Sequence, residues 1–192
     1  MLAQPDDTTC GPTCLHAVYR YLGCEVPLDQ LIRRVPRLKT GGTLGVMIGC
    51  DALRRGFRVR LYTYNLLVFD PTWFGSAPVD LAAKLAAQAR AKRSAKLKVV
   101  SRAYINFLRL GGEIQFETLS GALIRRHLIQ NQPIITGLSS TYLHHAMREY
   151  GPDDVEDDIR GVPAGHFVVL CGYDRRAREV LVADPLESNP HS

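Results

Sequence analysis

No stretch of the 192-residue chain approaches the roughly 18 consecutive apolar residues that a membrane span needs. The opening residues, MLAQPDDTTCG, carry neither a basic nor an apolar segment of the secretory kind. Together these absences lead us to expect a cytoplasmic protein with no membrane partner. Cysteine is sparse: Cys10, Cys14, Cys24, Cys50 and Cys171 are odd in number and scattered. That argues against a disulfide framework and for free thiols, one of which can be reactive. No phosphate-binding loop of the G-x-x-x-x-G-K-[ST] kind is present. No internal repeat and no linker is visible, so one domain over residues 1–192 is expected. The excess of positive charge is small, +5, and much of it sits in RAKRSAKLK, residues 90–98. A nucleic-acid surface would be broader and interleaved with stacking aromatics, so a solvated helix face is expected instead. What remains is an ordinary globular composition, 46% apolar and 22% charged, in a chain long enough to bury a core without staples.

Periodicity predicts helices over residues 10–22, about 28–35 and 44–55. In the first of these Pro12 suits the opening turn and Gly23 the end. A glycine-rich loop, KTGGTLG, precedes the third, and FDPTWFGSAP reads as an irregular loop. An alternating strand is expected at 58–64, one or two helices over 79–110, and a short strand at 113–117. A helix with Thr118 or Ser120 near its start should follow, then strands at 133–139, 165–174 and 179–185. The last two flank the basic turn RRAR and should pair as a hairpin. The segment 151–161 reads as an acidic loop. Helices gather in the first half and strands in the second, which predicts an α+β fold with helices packed on a C-terminal antiparallel sheet.

The stretch TTCGPTC, Thr8 to Cys14, poses the chemical question. Its cysteines are four apart, one residue wider than a redox pair. Cys10 falls at or just before a helix N-terminus, where unpaired N–H groups and the helix dipole favour thiolate. A nucleophilic cysteine needs a base, and the base needs an orienting group. His166 opens the strand GHFVVLCGYD and Asp184 closes EVLVADP; an antiparallel hairpin sets them roughly level. An oxyanion also needs donors. The Cys10 N–H can be one, and the side-chain amide of Gln4 the other, if PDD turns the chain back.

Gln4, DDTTCGPTC, GHFVVLCGYD and VLVADP together resemble the family C39 cysteine peptidases and their C39-like relatives, in the papain-like superfamily. The resemblance implies a papain-like fold and a thiol hydrolase. Its catalytic residues would be Cys10 (nucleophile), His166 (base), Asp184 (orienter) and Gln4 (oxyanion donor). The partner would be a peptide or protein substrate, and no cofactor or metal is implied. Residues 40–130 carry no part of the resemblance. The transporter setting of the best-known members does not carry over to a chain without membrane spans. Transpeptidation or deamidation would use the same residues, and a catalytically silent domain that binds peptide in the same cleft is the non-enzymatic alternative.

Plainer readings stand beside these. Cys10 alone could be a buried structural thiol, His166 a core histidine, Asp184 a turn residue before Pro185, and Gln4 a solvated side chain. Cys14, one turn on, is expected to pack behind Cys10; a disulfide between them would be strained. Zinc held by Cys10, Cys14 and His166 lacks a fourth ligand. His144 and His145 are adjacent, so they point apart and make a poor metal pair. DDVEDD is expected to be a solvated loop, or a selector of basic substrates. Oligomeric state is not legible.

Overall fold

The computed structural model describes residues 1–38, 41–151 and 153–189. Lys39 and Thr40 of the glycine-rich loop, Pro152 of the acidic segment and the last three residues lie outside them. The chain gathers into two compact units, Met1–Gly45 with Ile124–Ser192, and Val46–Leu123.

The first unit carries α1 (Cys10–Tyr21) and α2 (Leu28–Arg34). Its sheet has the order β3-β6-β7, with β3 at Ile134–Ser139, β6 at Gly165–Asp174 and β7 at Glu179–Ala183. Both ladders are antiparallel, and that of β6 with β7 is the hairpin expected around RRAR. Helix α1 lies against β6, the central strand. Buried side chains on the two elements, Cys14, Leu15 and Tyr19 with Val168, Val169 and Leu170, form the core between them, and Leu31 of α2 joins it. The second unit is built from α3 (Gly45–Arg54), α4 (Leu81–Ala91) and α5 (Ala95–Arg109) with a parallel pair, β1 (Arg60–Tyr62) and β2 (Glu113–Gln115). Its centre is Phe107, fully buried; a Cβ at Gly112 would stand 2.3 Å from that ring, so only glycine fits there. Helix α6 (Gly121–Leu128) opens with the Ser120 hydroxyl accepting from the Leu123 N–H at 3.2 Å.

The architecture is mixed helix and strand, compatible with the expected α+β class. Three local readings need correcting. The segment expected as an acidic loop holds a small hairpin, β4 (Glu149–Tyr150) with β5 (Val155–Glu156), which alternation could not reveal over two-residue strands. The loop FDPTWFGSAP contains a 3-10 turn, Pro71–Phe74, capped by Asp70, whose carboxylate accepts from the Thr72 N–H. The basic stretch 90–98 spans a break between α4 and α5, where the Ser94 hydroxyl caps α5; its charged side chains are exposed.

One irregularity in the sheet determines what the first unit can build. From Asp174↔Glu179 to Gly172↔Leu181 the hairpin pairs in one register. It then shifts by one, to Leu170↔Val182 and Val169↔Ala183, leaving Cys171 unpaired as a bulge. Continuing the inner register sets Asp184 opposite Val168, on the same face as His166. The outer register, continued, would set it opposite Val169, on the other face. The bulge therefore decides that the two side chains meet. Because the bulge is a property of the backbone and Cys171 is exposed, Cys171→Ala is expected to unfold in urea within about 0.5 kcal/mol of wild type. Deletion of Cys171 joins Leu170 to Gly172 and keeps Leu170↔Val182 and Val169↔Ala183 in register, so Asp184 stays on the His166 face and the pair is expected to survive.

Candidate active site

Cys10 is the first residue of α1, preceded by a tight N-terminal turn. The Asp6 carbonyl accepts from the Thr9 N–H at 3.2 Å and from the Thr9 hydroxyl at 2.8 Å, while one Asp6 carboxylate oxygen accepts from the Thr8 N–H and hydroxyl. This Asx turn is what DDTT encodes. It delivers Cys10 to the helix start, as its position before Pro12 predicts. The thiol is buried, with 6% of the residue exposed. Burial pushes its pKa above the ordinary value, and the nearby charge of Asp184 adds to the rise; backbone hydrogen bonds at Phe167, Gly11 and Cys10 itself pull it part of the way back. The helix terminus thus acts in the expected direction, but desolvation outweighs it. Cys14 is fully buried one turn on and donates its thiol to the Phe167 carbonyl at 3.1 Å, which fits the packing role read from the sequence. Burial pushes that thiol far up, so it stays protonated. Both cysteines are therefore tied to the backbone at Phe167, the residue after His166.

His166 and Asp184 are together. The His166 Nε2 donates to Asp184 Oδ1 at 2.7 Å, with only 7% and 3% of their side chains exposed. With Nε2 committed to the carboxylate, Nδ1 is the other ring nitrogen of His166. Gln4 is nearby: its backbone N–H donates to the Pro185 carbonyl at 2.9 Å, so the N-terminal segment is laced to the residue after Asp184. One amide hydrogen of Gln4 Nε2 goes to the Asp6 carbonyl at 3.1 Å, leaving one further donor on that nitrogen. Its Oε1 is buried and lacks a partner among the described residues. A depression of about 300 Å³ beside this segment is lined by Gln4, Asp6, Asp7, Leu186 and Glu187.

Sequence reasoning missed His144. It follows α7, the single turn Ser140–Leu143, and its Nε2 donates to the other carboxylate oxygen, Asp184 Oδ2, at 2.8 Å. The expectation that adjacent histidines point apart tested His144 only against His145, not against a distant carboxylate. The available signal was position: β3 must end beside the start of β6, and His144 lies one turn beyond. Asp184 also accepts from the Leu186 N–H at 2.8 Å and the Asn189 side-chain amide at 3.2 Å. Burial works against the Asp184 charge, yet the bonds from His166, Leu186 and His144 outweigh it and hold the carboxyl below its ordinary range. The ligand-type atoms of His144, His166 and Asp184 all lie within 4.8 Å of one another, a spacing that could take a metal ion. Each imidazole addresses a different carboxylate oxygen, however, which is the pattern of two hydrogen bonds to one anion. The acidic hairpin lies within electrostatic reach of Asp7. Burial raises the Glu149 carboxyl, and the charges of Asp154, Asp7 and Glu156 raise it further.

A family model described as the Peptidase_C39 like family matches residues 91–192, more than half of the chain. The matched segment contains His144, His166 and Asp184; Gln4 and Cys10 precede it. No curated protein and no solved structure matches the chain. No helix among the described residues is long and apolar enough to cross a membrane.

Replacing Asp184 by alanine leaves four donors facing no acceptor, and is expected to cost about 2–4 kcal/mol in urea unfolding. Because the folded carboxyl is held below its unfolded value, near 3.9, the carboxylate's share of that difference is complete above about pH 4. It shrinks as the pH falls through the folded pKa. Unfolding curves for the two proteins across pH 2–6 should converge toward the acid end.

Proposed function

The chain belongs to the Peptidase_C39 like family, and from that premise we propose that it is a cysteine peptidase of papain-like fold that hydrolyses a peptide or amide bond. Cys10 is the nucleophile, His166 the base, Asp184 the orienting carboxylate and Gln4 an oxyanion donor. The observation that carries this reading is the His166–Asp184 bond at 2.7 Å, made through Nε2, on a strand whose next residue hydrogen-bonds the Cys10 sulfur. It supports a base that is oriented and buried, one residue before the strand position bonded to the thiol, as nucleophilic catalysis requires.

The chemistry follows from these positions. Burial keeps the resting Cys10 thiol protonated until a base takes the proton, and His166 Nδ1 is the base. Sulfur attacks the carbonyl carbon, and the π electrons of the C=O bond collapse onto oxygen. The Cys10 N–H and the second Gln4 Nε2 hydrogen hold the resulting oxyanion. The C–N bond breaks, and His166 passes its proton to the departing amine. Water, deprotonated by His166, then attacks the thioester; the acid leaves and the proton returns to sulfur. Asp184 stays ionised throughout, fixing the tautomer and stabilising the imidazolium. The acidic hairpin beside Asp7 favours substrates with basic residues.

Iodoacetamide labelling, with the modified cysteine located by mass spectrometry, tests the pair. Wild-type Cys10 is expected to react at pH 7 at least about tenfold faster than Cys10 in His166→Ala, a difference of about 1.4 kcal/mol. In the variant, burial holds the thiol up, so the rate should climb only above the ordinary thiol range. A panel of basic and neutral peptides followed by mass spectrometry then reads hydrolysis. Equal labelling rates and no cleavage would leave a silent peptide-binding domain as the better account.

A further inference from the structure

Of the two imidazoles bonded to Asp184, the proposed reaction uses His166 and gives His144 no part. Only 6% of its side chain is exposed, and its ring meets that of His166 edge-on, with centroids 5.4 Å apart. The turn that carries it is stitched to the strand that carries His166. The Ser140 N–H donates to the Ala164 carbonyl at 3.0 Å, and the Ala164 N–H donates to the Thr141 hydroxyl at 3.2 Å. The His144 N–H closes the turn on the Ser140 carbonyl at 2.8 Å. The backbone thus sets His144 at a fixed distance from the start of β6.

Resting on the peptidase reading above, we propose that His144 is a positioning residue: it holds Asp184 Oδ2 so that Oδ1 faces His166, and through that bond aims His166 at Cys10. A carboxylate rotates about its last single bond unless both oxygens are held. On Oδ1 the donors are His166 Nε2 at 2.7 Å and the Leu186 N–H at 2.8 Å. On Oδ2 they are His144 Nε2 at 2.8 Å and the Asn189 amide at 3.2 Å. Without His144, Oδ2 keeps the longer Asn189 contact, and the space beside the His166 ring opens to water. The carboxylate then has freedom to turn, and the imidazole it orients turns with it. His144 performs this as an Nε2–H donor and exchanges no proton with substrate.

The test uses the full chain and the same labelling of Cys10 at pH 7, so it needs no substrate. A glutamine side chain brings its amide nitrogen to the reach of an imidazole Nε2, whereas asparagine falls one bond short. His144→Gln is expected to label within about threefold of wild type, and His144→Asn and His144→Ala about tenfold more slowly, the scale of one lost buried hydrogen bond to a charged group. Thermal melting of all three accompanies the rates. Because the two amide variants are similar in size and polarity, a role in packing alone would treat them alike. Asparagine labelling as fast as glutamine, or alanine as fast as wild type, while His166→Ala remains slow, overturns the role of His144 and leaves the peptidase reading standing. Equal rates in wild type and His166→Ala overturn the peptidase reading and this role with it.

Discussion

A single buried carboxylate organises the first unit. Asp184 accepts from two imidazoles, a backbone amide and a side-chain amide, and the four come from β6, the end of α7 and the chain just after β7. A buried anion without donors would be prohibitively expensive, and removing one partner of a satisfied network leaves a charge or donor stranded. The network therefore constrains more than its own atoms. It requires β3 to end where it does, so that α7 returns over the start of β6. It requires the sheet to bring strand β7 beside β6 with Asp184 on the correct face. It also fixes Pro185, whose carbonyl receives the Gln4 N–H and so anchors the turn that sets Cys10.

The elements built on local rules were legible in the sequence. Helix α1 was marked by Pro12, Gly23 and the spacing of Leu15, Val18, Tyr19 and Leu22, and it runs from Cys10 to Tyr21. The hairpin of β6 and β7 was marked by two strand segments flanking the basic turn RRAR, and β6 spans the residues expected of it. The proximity of His166 to Asp184 was inferred from that hairpin alone, and the two are in contact. The inference reached the correct pair without the reason: the bulge at Cys171 sets the face, and no residue pattern in VLCGYD announces it. The acidic hairpin escaped because strands of two residues carry no periodic signal.

His144 escaped for a different reason. Its partner is 40 residues away, and its placement depends on three elements meeting. Sequence spacing weighs near neighbours, whereas a buried polar side chain is explained by whatever accepts its hydrogen bond. The thiol shows the same limit from the other side. A helix N-terminus favours thiolate and can be read from Pro12, but the depth of burial that outweighs it is a tertiary property. Local position gives the sign of one contribution, and packing decides the net.

The Gln4–Pro185 bond has a consequence in time. It joins residues 181 positions apart, so the segment bearing Cys10 finds its place only after the last strand exists. Chains are synthesised from the N-terminus at roughly 5–20 residues per second, and Cys10 leaves the ribosome well before His166 and Asp184. Through that interval the thiol has neither the Phe167 backbone beside it nor its final burial. The site is thus assembled only with the closing hairpin, and a chain truncated before it carries Cys10 without the strand its sulfur bonds to.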